Sequence, residues 1–489
     1  MHQQLDIADG VRREISSRTT AKHKADFGQF MTPSTVARFM AGMFPSSNLS
    51  ACRLLDAGAG VGALTCAFLD RWIANGFEFN TVEATAYEID NNLRSLLKQH
   101  IESYSQVKAN VITGDYIELT ANDYGQPTNY THIILNPPYK KINSNSSHRL
   151  ALRSVGIETV NLYSAFVSLA ISQAANEGQI VAIIPRSFCN GPYYRPFRDF
   201  IIKHTAIRHI HLFASRKKTF KDDDVLQENV IIRLERGGKQ EHVTITTSTD
   251  DSFADLVTHD YPFDQIINLD SPERFIHIPT SPEKNIIELS SSVRYTLSDL
   301  GIKVSTGPVV DFRLKEHLRH MPEENTVPLI YPGHLSINGA VWPIGDQKKP
   351  NAILRNEATE KWLYPNGFYC IVRRFSSKEE KRRISASVVE PTAFGEHSVL
   401  GFENHLNLFH DNKNGLPELL ARGLAVFLNS TAVDESFRRF NGHTQVNATD
   451  LKTMKYPSYE TLVELGKWAQ QQHSLTQEII DTQFGKLIS

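Results

Sequence analysis

Four cysteines in 489 residues, Cys52, Cys66, Cys189 and Cys370, with no Cys-x-x-Cys pair among them, are too few and too scattered for a zinc site or a disulfide framework. No metal is expected. Cys52 and Cys66 stand in apolar context and read as small buried hydrophobes. The chain shows no signal peptide and no run of about 18 apolar residues, so a soluble, cytoplasmic protein without a membrane partner is expected. Net charge is nearly absent as well: 52 Lys and Arg against 54 Asp and Glu leave −2. A basic surface must then be local and offset elsewhere, which favours selective over bulk electrostatic binding of a polyanion. Internal repeats and low-complexity tracts are also missing. The length exceeds one ordinary domain, and two sizeable cores are expected.

What is present starts with Asn136-Pro137-Pro138-Tyr139, at the end of the apolar strand pattern Thr131 to Leu135. An exocyclic amino nitrogen is a poor nucleophile because its lone pair is delocalised. Asn136 can accept one of its N–H groups through the side-chain oxygen, and the Pro137 carbonyl can accept the other, which localises the pair. Two prolines restrict the backbone so that this carbonyl is aimed before substrate arrives. Tyr139 offers a ring on which a base taken from its stack can lie. The bland alternative is a strand ending in a Pro-Pro turn with a surface tyrosine.

That alternative weakens upstream, where Arg53-Leu54-Leu55 runs into Asp56-Ala57-Gly58-Ala59-Gly60-Val61-Gly62 and then an apolar-periodic stretch from Leu64 to Trp72. Strand, glycine loop and helix in that order mark a cofactor crevice at the carboxyl end of a first parallel strand. No Gly-Lys-Ser/Thr follows, so the loop is not a triphosphate cradle. A second strand, Thr81 to Tyr87, ends in Glu88-Ile89-Asp90, at the distance expected for an acid that binds ribose hydroxyls, with Glu88 the better candidate. A third, Val107 to Thr113, ends in Gly114-Asp115, whose carboxylate can accept from an adenine amino group. Either acid alone reads as a strand-end residue or helix cap; three successive strands ending in acids are harder to call accidental.

In these motifs the chain resembles the amino-methylating methyltransferases, and within them the gamma-order N6-adenine DNA enzymes, in which an opening segment precedes the cofactor loop, the catalytic tetrapeptide and a final target-recognition domain. Phe27-Gly28-Gln29-Phe30-Met31-Thr32-Pro33 matches the opening segment; its plain reading is a helix start with Thr32 capping and Pro33 in the first turn. The resemblance implies S-adenosyl-L-methionine as cofactor, held by Thr32, Asp56, Gly58, Gly60, Glu88 and Asp115, and chemistry at Asn136, Pro137, Pro138 and Tyr139. It also implies a second ring, Phe220, over the other face of a flipped base. Through Asp224 to Asn229 and Gly442 to Asn447 the chain is similar to the PstI/BsuBI-type modification methyltransferases of type II restriction–modification systems. That likeness implies the target CTGCAG, a double-stranded DNA partner, a cognate endonuclease and a monomer.

The expected fold is an α/β, Rossmann-like class I methyltransferase sheet over residues 1–248, a proline-punctuated linker over 249–290, and a mixed α+β target-recognition domain over 291–489 with a helical tail from Leu451. Asn229 to Leu234 and His242 to Thr247, around Gly237-Gly238, read as a β-hairpin closing the sheet. In the second half, Arg373, Arg374, Lys381, Arg382 and Arg383 form a basic run suited to phosphates, although such runs are most often solvated loops. His443, Gln445 and Asn447 alternate, which in an extended segment turns all three one way, and Gln and Asn can pair with adenine edges. The competing reading is a polar loop before a helix starting near Asp450. An RNA or protein-glutamine methyltransferase shares the Asn-Pro-Pro-Tyr logic, but the large basic and amide-rich second half suits duplex recognition better. A non-catalytic specificity module is opposed by the intact Asn136, Tyr139, Asp56 and Glu88.

Overall fold

A computed structural model describes residues 4–18, 31–126, 128–213, 228–279, 287, 290–376, 380–441 and 445–488. The chain divides into two compact units, Met1–Pro282 and Glu283–Ser489.

The first unit is built on a nine-stranded sheet. Its strands are β1 (Ala51–Ala57), β2 (Thr81–Glu88), β3 (Val107–Thr113), β4 (Tyr130–Leu135), β5 (Ala174–Pro185), β6 (Thr205–Phe213), β7 (Asn229–Arg236), β8 (His242–Ser248) and β9 (Val257–Pro262), in the order β3-β2-β1-β4-β5-β7-β6-β8-β9. From β3 to β6 every neighbour is parallel except β7, which runs against both β5 and β6. This is the class I methyltransferase sheet. Successive residues of β4 enter different cores, Ile133 and Leu135 on one face and Ile134 on the other. Both faces are covered, which is why the strand reads as a continuous apolar run rather than an alternation.

The helices that matter for the site are α1 (Gln4–Arg18), α2 (Ser34–Gly42), α3 (Ala63–Arg71), α4 (Asn91–Glu102), α5 (Tyr116–Asn122), α6 (Ser147–Ser154), α7 (Leu162–Gln173) and α8 (Arg195–His204). Strand order reverses between β1 and β4, so the carboxyl ends of β1, β2 and β4 open a crevice there.

Three expectations are corrected. The segments around Gly237-Gly238 are not hairpin partners: β7 lies between β5 and β6, and β8 pairs in parallel with the far side of β6. Val230, Ile231, Ile232 and Leu234 are fully buried, and a strand apolar on both faces needs a neighbour on each side. Residues 249–290 are not a bare linker, since β9 pairs antiparallel with β8 and Phe263, Ile266, Ile276 and Ile278 enter the first core. Pro262 ends β9 without freeing the chain. Thr32 does not cap α2; Pro33 occupies that position without a side-chain bond, and the Ser34 amide donates to the Asp9 carboxylate at 3.3 Å.

The second unit mixes sheets and helices. Lys303–Thr306, Leu406–His410, Tyr369–Arg373 and Ala386–Val389 form one four-stranded sheet in that spatial order, and Thr326–Ile330 lies in a second, five-stranded sheet. Ahead of the expected helical tail lie α9 (Glu418–Leu428) and α10 (Thr431–Phe440); α11 (Ala448–Thr453), α12 (Tyr459–Gln470) and α13 (Gln477–Ile488) follow. Eight of the 11 residues of α9 are buried, and Glu418 and Arg422, paired at 3.0 Å, are too narrow a polar stripe to betray a helical period.

Candidate active site and cofactor cavity

A cavity of about 360 Å³ occupies the crevice, within the usual size of a small-molecule site. It is lined by Thr32, Gly58, Gly60, Glu88, Asp115, Asn136 and Pro138, seven positions singled out in the sequence and drawn from five separate segments.

The glycine loop is held from below by backbone. The amides of Gly58 and Ala59 both donate to the Tyr87 carbonyl, at 3.0 and 2.9 Å. Gly60, at φ +58°, lies on the cavity wall with space where a Cβ would stand, so a ligand can approach its backbone closely. Its amide donates to Glu88 at 2.7 Å, while the other Glu88 oxygen accepts from the Asp90 amide at 2.8 Å. One carboxylate thus ties the loop to the end of β2, and burial pushes its pKa upward. Asp90 instead caps α4 through the amides of Asn92 and Leu93.

Asp56 is fully buried and stands beneath the loop rather than on the cavity wall. One oxygen accepts from the Thr65 hydroxyl at 2.7 Å and the other has no partner among the described residues. Asp115 uses both oxygens, capping α5 through the Glu118 amide at 3.0 Å and meeting His148 Nε2 at 2.9 Å. Burial works to raise the Asp115 pKa, but His148 and the Glu118 amide hold it below the ordinary value, and the same contact raises that of His148.

At the end of β4, Asn136 Nδ2 donates to the Thr32 hydroxyl at 3.0 Å, and Tyr139 Oη lies 3.1 Å from both Asn136 Oδ1 and the Ile183 carbonyl. A phenol has one proton, so these two oxygens share one donor. The Tyr139 ring stands edge-on to Tyr163, with centroids 6.2 Å apart. Pro137 is buried, Pro138 lines the cavity, and Phe220 lies outside the described residues.

Among the cavity residues that went unrecognised in the sequence are Ile89 and Phe166, which supply apolar wall, and His148. Ile89 adjoins Glu88 and was legible as an exposed apolar residue at a strand end. Nothing local marks the other two, which arrive from α6 and α7.

A family described as Eco57I restriction-modification methylase matches residues 61–220. The type II methyltransferase M.BsuBI of Bacillus subtilis is 51% identical over 479 residues, covering 96% of this chain and 94% of that protein. The type II methyltransferase M.PstI of Providencia stuartii is 43% identical over 472 residues, covering 94% and 92%. The chain belongs to the type II methyltransferases. Among solved structures, DrdV in its DNA complex shares the fold, with a TM-score of 0.52 at 12% identity over 96% of this chain and 59% of that one.

Burial without a full set of partners has a consequence for this methyltransferase. It pushes the Asp56 pKa up to about 7 from 3.8. A carboxyl that is a weaker acid when folded contributes stability below its unfolded pKa, and that contribution is lost as pH rises from about 4 through about 7. Asp56→Asn cannot ionise. Its melting temperature relative to the wild type should therefore climb between pH 5 and pH 8; a constant difference would show that Asp56 is charged throughout.

In the second unit the basic run separates into two kinds of residue. Arg383 is 1% exposed and donates to Asn441 at 2.6 Å. Arg382 donates to the Ser430 and Ile384 carbonyls and to Gln477. Both are structural, and their expected phosphate role is withdrawn because their guanidinium groups satisfy buried acceptors. Lys381 is exposed, Arg373 pairs with Glu380, and Arg374 donates to the Asn404 carbonyl and Gln445 Oε1. Asn447 caps α11 in a reciprocal arrangement with Asp450, which takes up the amide expected to read a base. Gln445 is half-exposed and His443 lies outside the described residues. Among the described residues no helix is long and apolar enough to cross a membrane.

Proposed function

We propose that this type II methyltransferase transfers a methyl group from S-adenosyl-L-methionine to the N6 nitrogen of an adenine in double-stranded DNA, within CTGCAG, as a monomer that protects sites from a cognate endonuclease. The observation that carries this reading is that Asn136 and Pro138 line the same cavity as Gly60, Glu88 and Asp115, so an amino-polarising group and a nucleoside-shaped site open into one space.

The residues fit the cofactor. Glu88 is positioned for ribose hydroxyls, Asp115 with His148 for the adenine amino edge, Ile89 and Phe166 for the ring faces, and the open backbone of Gly60 for close approach. The cofactor supplies an already activated methyl on a sulfonium, so no strong base is required beforehand. The protein's task is to hold the target nitrogen. Asn136 Oδ1 accepts one amino N–H, the Pro137 carbonyl accepts the other, and the lone pair turns toward the cavity. Tyr139 receives one face of the flipped base, with Phe220 over the other.

Thr32 acts here through Asn136. By accepting from Nδ2 it selects the amide rotamer that sets the direction of Oδ1. Thr32→Val keeps the shape but removes the acceptor, and should lower kcat by roughly tenfold, the worth of one polar contact, with Thr32→Ser restoring it. A raised cofactor KM at unchanged kcat would instead make Thr32 a cofactor contact alone.

The reading itself is tested by digesting treated duplex to nucleosides and weighing them. N6-methyladenine is expected; N4-methylcytosine, or transfer only to RNA or protein, would overturn it.

A further inference from the structure

Three stretches far apart in sequence meet on the second unit. The Arg374 amide donates to the His405 carbonyl at 2.8 Å, the Val446 amide to the Arg374 carbonyl at 2.7 Å, and Asn407 Nδ2 to the Val446 carbonyl at 2.7 Å. Phe375 and Gln445 pair as an antiparallel bridge. Backbone bonds therefore hold the junction in one arrangement.

At its centre Glu403 is fully buried, and both of its oxygens serve one neighbour: Oε2 accepts from the His405 amide at 2.9 Å and Oε1 bonds His405 Nδ1. Burying a carboxylate is costly unless it is well paired. Here it fixes the orientation of an imidazole that is itself 37% exposed, and Nε2 is the ring's remaining polar atom. A carboxylate behind a histidine is a device for fixing tautomer and direction. His405 in turn lies against Phe375, with centroids 4.6 Å apart at 41°, and Phe375 remains 40% exposed. The Arg374 guanidinium stands 5.8 Å from the Phe375 centroid, restrained by the Asn404 carbonyl and Gln445.

An exposed phenyl face, a directed imidazole edge and a restrained cation match the three features of a nucleotide in a strand: a π face, a polar edge and a phosphate. We propose that Phe375 and His405 contact bases of the target duplex, Phe375 by stacking on a base exposed at an opened step and His405 by accepting at Nε2 a hydrogen bond from an amino group on a base edge. A base–aromatic contact is sequence-tolerant, whereas an edge contact discriminates. The two residues thus divide the labour: Phe375 supplies affinity and His405 preference. This rests on the reading of duplex DNA as substrate.

The test uses the full-length chain, fluorescence anisotropy, and two labelled duplexes, one carrying the mapped methylation site and one scrambled, at several salt concentrations. Phe375→Ala should weaken binding to both duplexes by about tenfold or more, with cofactor affinity unchanged, and Phe375→Leu, which keeps apolar bulk without a π face, should also bind more weakly. His405→Ala should reduce the preference for the site by about tenfold while leaving the slope of affinity against salt unaltered. The proposal is overturned if variants that melt as the wild type does bind both duplexes like the wild type, or if His405→Ala loses affinity equally on the two. Should the wild type bind neither duplex, the substrate reading fails first, an outcome separable from failure of these two residues alone.

Discussion

Asn136→Ala should abolish methyl transfer, lowering single-turnover rates by about a hundredfold or more, while binding cofactor as the wild type does. The magnitude follows from the position of the amide. Asn136 is held by the Thr32 hydroxyl and approached by Tyr139, at the end of a strand whose last three residues, Ile133 to Leu135, are fully buried. Its oxygen is therefore a preorganised acceptor that need not reorganise when substrate arrives. Removing it restores delocalisation in the target amino group and leaves the cavity wall around Glu88 and Gly60 intact. Calorimetry with cofactor and rapid-quench methyl transfer separate the two quantities. Near-normal turnover would remove the tetrapeptide from the chemistry, and lost cofactor affinity would mean that the residue shapes the cavity instead.

Gly466→Ala should destabilise the second unit severely. α9 and α12 pack backbone to backbone: a Cβ at Gly466 would stand 1.9 Å from the Leu419 carbonyl oxygen, and one at Gly423 would stand 1.8 Å from that of Leu462. Backbone atoms cannot rotate aside, so the helices must part and loosen the packing of buried Leu420, Leu424, Leu462 and Leu465. Overpacking of this kind costs about 1–3 kcal/mol and sometimes more. Gly10→Ala, at an exposed position of α1 with open space where its Cβ would stand, is the contrasting control and should melt at or slightly above the wild type. Limited proteolysis and melting temperature report the outcome; an unaltered Gly466→Ala protein would contradict the close helix contact.

Much of the candidate site was legible because its parts sit at strand ends, where local sequence and position in a parallel sheet are linked. Asp56, Glu88, Asp115 and Asn136 each follow an apolar run, and the carboxyl edge of the sheet gathers them. Strand order was less legible. The pairing of β7 between β5 and β6 depends on which faces are covered, and the Gly237-Gly238 turn signal reports a change of direction without naming a neighbour. Arg382 and Arg383 show the same limit on the second unit. Their charge pattern is identical whether the guanidinium faces solvent or satisfies Ser430, Asn441 and Gln477, residues some 50 to 95 positions away. Asn447 was placed near a helix start, but its amide was assigned to a base when Asp450, three residues on, makes it half of a capping pair. His148 could not have been found from spacing, since its meeting with Asp115 depends on how α6 lies against α5.

Long-read modification mapping of DNA from cells expressing the chain tests the central claim most directly, because base, position and motif are read together. N6-methyladenine is expected at the adenine of CTGCAG on both strands, absent from cells expressing Asn136→Ala. Modified cytosine, or genomes without any methylated adenine despite soluble protein, would contradict it.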